Sequence, residues 1–273
     1  MSEQKIPLSG VQETLVLPLW GRAIETQKAA PKLVDETAVK IVNSLDYDFS
    51  EIEKKINPLS RAAWIARSLY FDAKIREYLQ QHPDGSIINV GCGLDTTYDR
   101  VNNNRATWYE LDFPEVIDIR RQYMRESPNR HFLAGSVLDT GWTDKITHKS
   151  NVFLLFAGVI YYFEETQVKD LFGTFSKTFR GCNVACDYSS PKGVEIANKR
   201  VLRDSGMDEN ACLKWGIKDI RDIESWSDHI HVLHNMKMFE EYKKAYPPLK
   251  RIGMSISDAM SVMSLAHIRI DAV

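Results

Sequence analysis

The chain has 273 residues, 44% hydrophobic and 26% charged, with 35 basic residues against 37 acidic ones and a formal net charge of −2. That length and composition fit one large α/β domain with a substantial core, and the balanced charge gives no electrostatic footing for nucleic acid. No apolar run reaches the roughly 18 residues of a membrane span, so no membrane partner is expected. Met1-Ser2-Glu3-Gln4-Lys5 is polar and lacks the apolar centre of a signal peptide, so a cytoplasmic location is expected. Residues 11–84 read as mostly helical, with breaks at Pro18, Pro31 and Pro58. Ala62, Ala63, Ala66, Leu69, Tyr70 and Ala73 recur at three- and four-residue spacing, which predicts a helix that Ser60 would cap.

From Ser86 onward, short apolar strands alternate with helices. The strands read as Ser86–Val90, Thr107–Leu111, His131–Ala134, Asn151–Phe156 and Asn183–Asp187, with helices such as Pro114–Glu126 and Glu165–Phe179 between them. Val152-Phe153-Leu154-Leu155-Phe156 is an unbroken apolar run, as a parallel strand buried on both faces should be. This alternation predicts a doubly wound α/β sheet with ligands over the carboxyl ends of its strands. Residues 190–228, with Gly193, Gly206 and Gly216, read as a helical insertion. Together with the helical segment 1–84 it could cover the strand ends as a lid. His229–His234 and Leu265–Ile270 read as the last two strands. The expected organisation is one domain over 1–273: a helical cap at 1–84, a core at 85–189, the insertion at 190–228 and the final strands at 229–273.

The densest signal is Ser86-Ile87-Ile88-Asn89-Val90-Gly91-Cys92-Gly93-Leu94-Asp95-Thr96-Thr97, followed by Glu110-Leu111-Asp112-Phe113-Pro114. A glycine turn after a first strand lets a ligand approach the backbone, and an acid about 20 residues on, at the end of a second strand, can bind a ribose diol. That pairing suits an adenosine-containing cofactor. A dinucleotide site would need a third glycine where Thr96 stands, and the chain contains no Gly-Lys-Ser/Thr phosphate loop. An NAD-linked oxidoreductase is therefore disfavoured, and S-adenosylmethionine (product S-adenosylhomocysteine) is the expected cofactor. Glu110 and Asp112 point to one face of a strand, and Asp95 is expected to cap the next helix or order the turn.

Cys182 and Cys186 are four apart with no second pair, so no zinc site is expected. His229 and His231 alternate along a strand, and a structural role is favoured for them over catalysis or metal binding.

The glycine turn with Leu-Asp-Thr-Thr, together with Leu111-Asp112-Phe113-Pro114, resembles the leucine carboxyl methyltransferase family, in particular its bacterial polyketide O-methyltransferase branch. The similarity extends to Pro18–Ala23, Asn57–Arg67, Ser136–Asp139 and Gly158–Phe163. The resemblance implies a class I, Rossmann-like methyltransferase acting on a small-molecule carboxylate, with a phenol or hydroxyl acceptor, or a non-catalytic regulator, as alternatives. It implies Gly91 and Gly93 beside the methionine part of the cofactor, Asp112 on the ribose and Arg67 on the carboxylate. Ser136, Val137 and Ala157 match further cofactor positions. The leucine branch carries Asp-Leu where this chain has Ser136-Val137, and Glu-Cys-Val where it has Ala157-Gly158-Val159. Tyr161, Tyr162 and Arg22 are the candidates for the acceptor pocket.

Overall fold

The structure is a computed structural model that describes residues 11–45, 47–204 and 212–273. The polar start Met1–Lys5 and Gly206 of the expected insertion lie outside those residues. Four helices come first: α1 (Val11–Thr26), α2 (Glu36–Ser44), α3 (Phe49–Lys55) and α4 (Pro58–Gln81). Pro18 lies inside α1 and does not break it. The lost N–H costs one intrahelical bond, and burial of the neighbouring Val16, Leu19 and Trp20 outweighs it. Helix α4 starts earlier than its alanine pattern suggests. Asn57 is the cap, its side chain accepting the Leu59 amide at 2.9 Å, and Pro58 takes the first helical position, where its missing N–H costs nothing. Ser60 is already inside the helix.

The sheet follows: β1 (Ser86–Val90), α5 (Thr97–Val101), β2 (Thr107–Asp112), α6 (Pro114–Tyr123), β3 (Arg130–Ala134), β4 (Val152–Phe156), α7 (Glu165–Thr178), β5 (Cys182–Ser189), α8 (Pro191–Asp204), β6 (Ile230–Lys237), α9 (Pro248–Ala259) and β7 (Met263–Ile270). The strand order is β3-β2-β1-β4-β5-β7-β6. The first five strands are parallel, while β7 runs antiparallel to both β5 and β6. The order reverses between β1 and β4, the switch point where a doubly wound sheet opens a crevice at its carboxyl rim.

Alternating side chains feed two cores. One face carries Ile88, Val90, Leu154, Phe156 and Val184 against Phe172 and Phe175 of α7. The other carries Ile87, Trp108, Phe153, Leu155 and Ala185 against Tyr70, Phe71 and Ile75 of α4 and Met254 of α9. A third cluster joins Val16 and Leu19 of α1 and Ala38 and Ile41 of α2 to Cys92 and Leu94, which packs α1 onto the turn after β1. After α8 the chain returns to the carboxyl rim. The Lys214 and Trp215 amides donate to the Tyr161 carbonyl (2.7 and 3.1 Å), and the Ile217 amide donates to the Ser189 carbonyl (2.9 Å).

Candidate active site

β1 ends at Val90, and the chain turns through Gly91 and Gly93, with φ of 61° and 45°. A Cβ on Gly91 would lie 2.5 Å from Val159 Cγ2, and one on Gly93 would lie 3.0 Å from Leu15 Cδ2. Only glycine fits both the dihedrals and the space. The turn is held from beneath by Arg120 of α6, which is fully buried and donates to the carbonyls of Gly93 (2.7 Å) and Asp95 (2.9 Å). Asp95 accepts Asn89 Nδ2 at 2.9 Å and the Thr97 amide at 3.2 Å, so its carboxylate orders the turn.

Arg22 stands behind this turn. It is 4% exposed, and its Nε donates to Asp35 at 2.8 Å, with Nη2 3.3 Å from Thr96 Oγ1. Arg100 joins the same group, donating to Asp35 (2.8 Å) and Asp72 (2.9 Å). Burial works against the charge of Asp35 and Asp95, yet Arg22 and Arg100 outweigh it and hold both carboxyls below the usual range. Arg22 thus supports the turn through Nε and Nη2.

The two acids of β2 separate sharply. Glu110 is fully buried and pairs with Arg130 (2.8 Å) and with Arg120. Asp112, at the strand end, accepts the Gly93 amide at 2.7 Å and the Phe113 amide at 2.8 Å. Burial raises the Asp112 pKa, and the two amides oppose that shift. Across the adjacent strand end, the Gly135 amide donates to the Asp112 carbonyl (2.9 Å). Ser136 Oγ accepts the Leu138 amide (3.2 Å), and the Val137 carbonyl accepts Trp142 Nε1 (3.1 Å). Two apolar side chains stand exposed at these neighbouring ends, Phe113 at 53% and Leu138 at 39%.

On the other side of the switch point, Arg67 reaches from α4 to the ends of β4 and β5. Its Nη1 donates to Asp187 Oδ2 at 3.0 Å, and Asp187 Oδ1 accepts the Gly158 amide at 2.6 Å. Gly158 has φ of 82°, and a Cβ there would lie 2.6 Å from Arg67 Nη1 and 3.3 Å from Tyr161 Oη. Burial disfavours the Arg67 charge, but Asp187 more than compensates and raises its pKa. Tyr161 is buried in a 3-10 turn, Ile160–Tyr162, and desolvation pushes its phenol well above the ordinary value. Tyr162, with its ring centroid 5.1 Å from that of Tyr161, is the exposed member of the pair. Ala157 is half-buried between Phe156 and Gly158.

None of the seven histidines stands at this rim. His82 and His148 precede β1 and β4, and His229 and His231 lie at the start of β6, all on the opposite edge of the sheet. His131 is in the first half of β3. His234 Nδ1 pairs with Tyr70 Oη (3.3 Å), and His267 Nε2 with Asn183 Oδ1 (2.9 Å). Among the described residues, a separate groove of about 230 Å³ runs between α1, α4 and α9, lined by Ile24, Leu59, Ile65 and Leu249. It shares no residue with the rim cluster.

The sequence reading overlooked Asp187, Arg120, Phe113 and Leu138. Asp187 had a signal, an acid directly after the apolar run Val184-Ala185-Cys186. Arg120 had none, since it adjoins the half-exposed Arg121 in a helix and the two look alike in sequence.

A model of the leucine carboxyl methyltransferase family matches residues 16–176, more than half of the chain. The tetracenomycin polyketide synthesis O-methyltransferase TcmP of Streptomyces glaucescens is 28% identical over 224 residues, 81% of each chain. The S-adenosyl-L-methionine-dependent methyltransferase dpfgK of Gibberella zeae is 24% identical over 270 residues, 89% of each chain. Among solved structures, a DUF574 family protein from Streptomyces avermitilis aligns with a TM-score of 0.57 at 10% identity, covering 92% of this chain and 97% of its own. The N-methyltransferase NodS of Bradyrhizobium japonicum, solved with S-adenosyl-L-homocysteine, aligns with a TM-score of 0.51 at 13% identity, covering 86% and 99%. The fold is the class I, Rossmann-like one.

Proposed function

The chain belongs to the leucine carboxyl methyltransferase family and uses S-adenosylmethionine, and we propose that it is an O-methyltransferase acting on the carboxylate of a small, polyketide-like acceptor. The site fits the cofactor: the glycine turn closes the end of β1 at the switch point, and opposite charges stand at Asp112 and Arg67. In this reading Asp112 receives the ribose hydroxyls on the face its two amide bonds leave open. The exposed Phe113 and Leu138 flank the adenine, with Ser136 and Val137 supplying backbone there. Arg67 meets the amino-acid carboxylate, for which a guanidinium fork is the matching shape. Gly91 and Ala157 line the methionine chain, and Tyr161 and Tyr162 border the acceptor. The bound cofactor supplies a sulfonium methyl for in-line displacement.

One observation carries the carboxylate assignment: no histidine stands at the rim, and the groups around Tyr161 are poor bases. All seven histidines lie elsewhere, the Asp187 oxygens are taken by Gly158 and Arg67, and the Tyr161 phenol is held protonated by burial. A carboxylate nucleophile is already ionised above a pKa of about 4 and needs no base, so proximity and orientation suffice. A phenol or alcohol would need one. The similarity to TcmP, whose name describes O-methylation in polyketide synthesis, supports the acceptor class.

The test is the pH dependence of the chemical step with cofactor saturating. The rate should be flat from about pH 6 to 9. A rate rising through that range would point to a hydroxyl acceptor.

A further inference from the structure

Resting on the assignment of Arg67 to the cofactor carboxylate, we infer that Asp187 is the positioning residue of this site, presetting the Arg67 guanidinium for that ligand group. The pairing of Phe156 with Cys186 sets Asp187 beside the point where β4 opens into the loop at Ala157. Its side chain has no solvent exposure, so its carboxylate must find donors inside the protein. It finds two from different elements: the Gly158 amide of the β4 loop and Arg67 Nη1 of α4.

The loop is shaped around this bond. Gly158 adopts φ of 82°, and any side chain there would collide with Arg67 Nη1 at 2.6 Å. The missing Cβ is what lets the guanidinium cross the loop. The guanidinium has five N–H donors, and Asp187 and the neighbouring Tyr161 hydroxyl engage only part of them, so donors remain for a ligand. A long, flexible arginine is thereby held in one arrangement before the ligand arrives, and less order is lost on binding. The paired charges also keep this end of the site near neutral, which matches a zwitterionic amino-acid head better than a simple anion.

Calorimetry on the full chain tests this with two probes. S-adenosylhomocysteine carries the amino-acid head, and 5′-methylthioadenosine lacks it. D187N should weaken S-adenosylhomocysteine about tenfold while changing 5′-methylthioadenosine less than about twofold, since only the former meets Arg67. In an R67M background D187N should have no further effect. Equal loss for both probes, unchanged or tighter S-adenosylhomocysteine binding, or a loss that persists in R67M would overturn the positioning role. R67M losing no selectivity between the probes would instead overturn the assignment of Arg67. If D187N does not fold, G158A is the second probe. Its methyl group displaces Nη1 from Asp187 without removing a polar group, and it must give the same ligand-selective loss. A non-selective result contradicts the inference.

Discussion

The Asp112 carboxylate accepts the Gly93 amide at 2.7 Å, so the end of β2 and the glycine turn after β1 are one hydrogen-bonded unit. Glu110, two residues earlier on the same strand face, is tied instead to Arg120 and Arg130 in the interior. One strand thus carries two acids with separate partners, one on the glycine turn at the rim and one on buried arginines.

Asp112→Ala should weaken S-adenosylmethionine by about 1–3 kcal/mol, the range for leaving hydrogen-bonding partners unmet, with a smaller effect on folding. Glu110→Ala should do the reverse. Removing it leaves two buried guanidiniums without their partner, and the unfolding free energy should fall by about 3–5 kcal/mol. Denaturant melts and titration calorimetry on both variants check this, and a cofactor defect confined to Glu110→Ala would reverse the assignment.

The glycine turn makes a second prediction. Gly91→Ala forces a Cβ onto Val159 at a positive φ, so it should cost about 2–3 kcal/mol of stability and weaken the cofactor more than tenfold. Gly141 is the control, because a Cβ there meets nothing within 4 Å. Thermal melts with and without S-adenosylhomocysteine should separate the two variants. Equal behaviour would remove the steric argument.

The geometry around the glycine turn was legible in the sequence because it consists of backbone dihedrals and strand ends. Gly91, Gly93 and Asp112 sit where the period of the strands and the glycine turn put them, and β1 spans Ser86–Val90 as its apolar run implies. What escaped the pattern depends on contacts between distant segments. Arg22 looks like any helical arginine until Asp35 and Thr96 are seen beside it, 13 and 74 residues away. The Arg67–Asp187 pair joins residues 120 positions apart. The last strands were read too short because Asn235, Lys237 and Ser264 are polar, yet the antiparallel ladder of β6 and β7 runs through all three. Helix α9 was not anticipated: Leu249, Ile252 and Ile256 are exposed on it, which blurs its inward face.

A third prediction concerns pH and folding. Burial, aided by Lys74, lowers the His267 pKa from 6.5 to about 4, so the folded protein holds this side chain neutral. The unfolded chain binds a proton near pH 6.5 and the folded one does not, so stability is full above that pH and falls as the pH drops toward 4. The loss should be about 2–3 kcal/mol. His267→Gln, which keeps an amide for Asn183, should flatten that part of the profile in denaturant melts taken from pH 7 to 4. An unchanged slope would place the acid sensitivity elsewhere.

The central claim, methyl transfer to a carboxylate, is tested most directly by the chemistry of the product. The enzyme is incubated with S-adenosylmethionine labelled in its methyl group and a mixture of aromatic and polyketide-like acids, and the product is treated with mild alkali. A methyl ester hydrolyses under those conditions, so the label should appear as volatile methanol. Label that stays on the product through alkali, on a phenolic, alcoholic or nitrogen atom, would contradict the assignment.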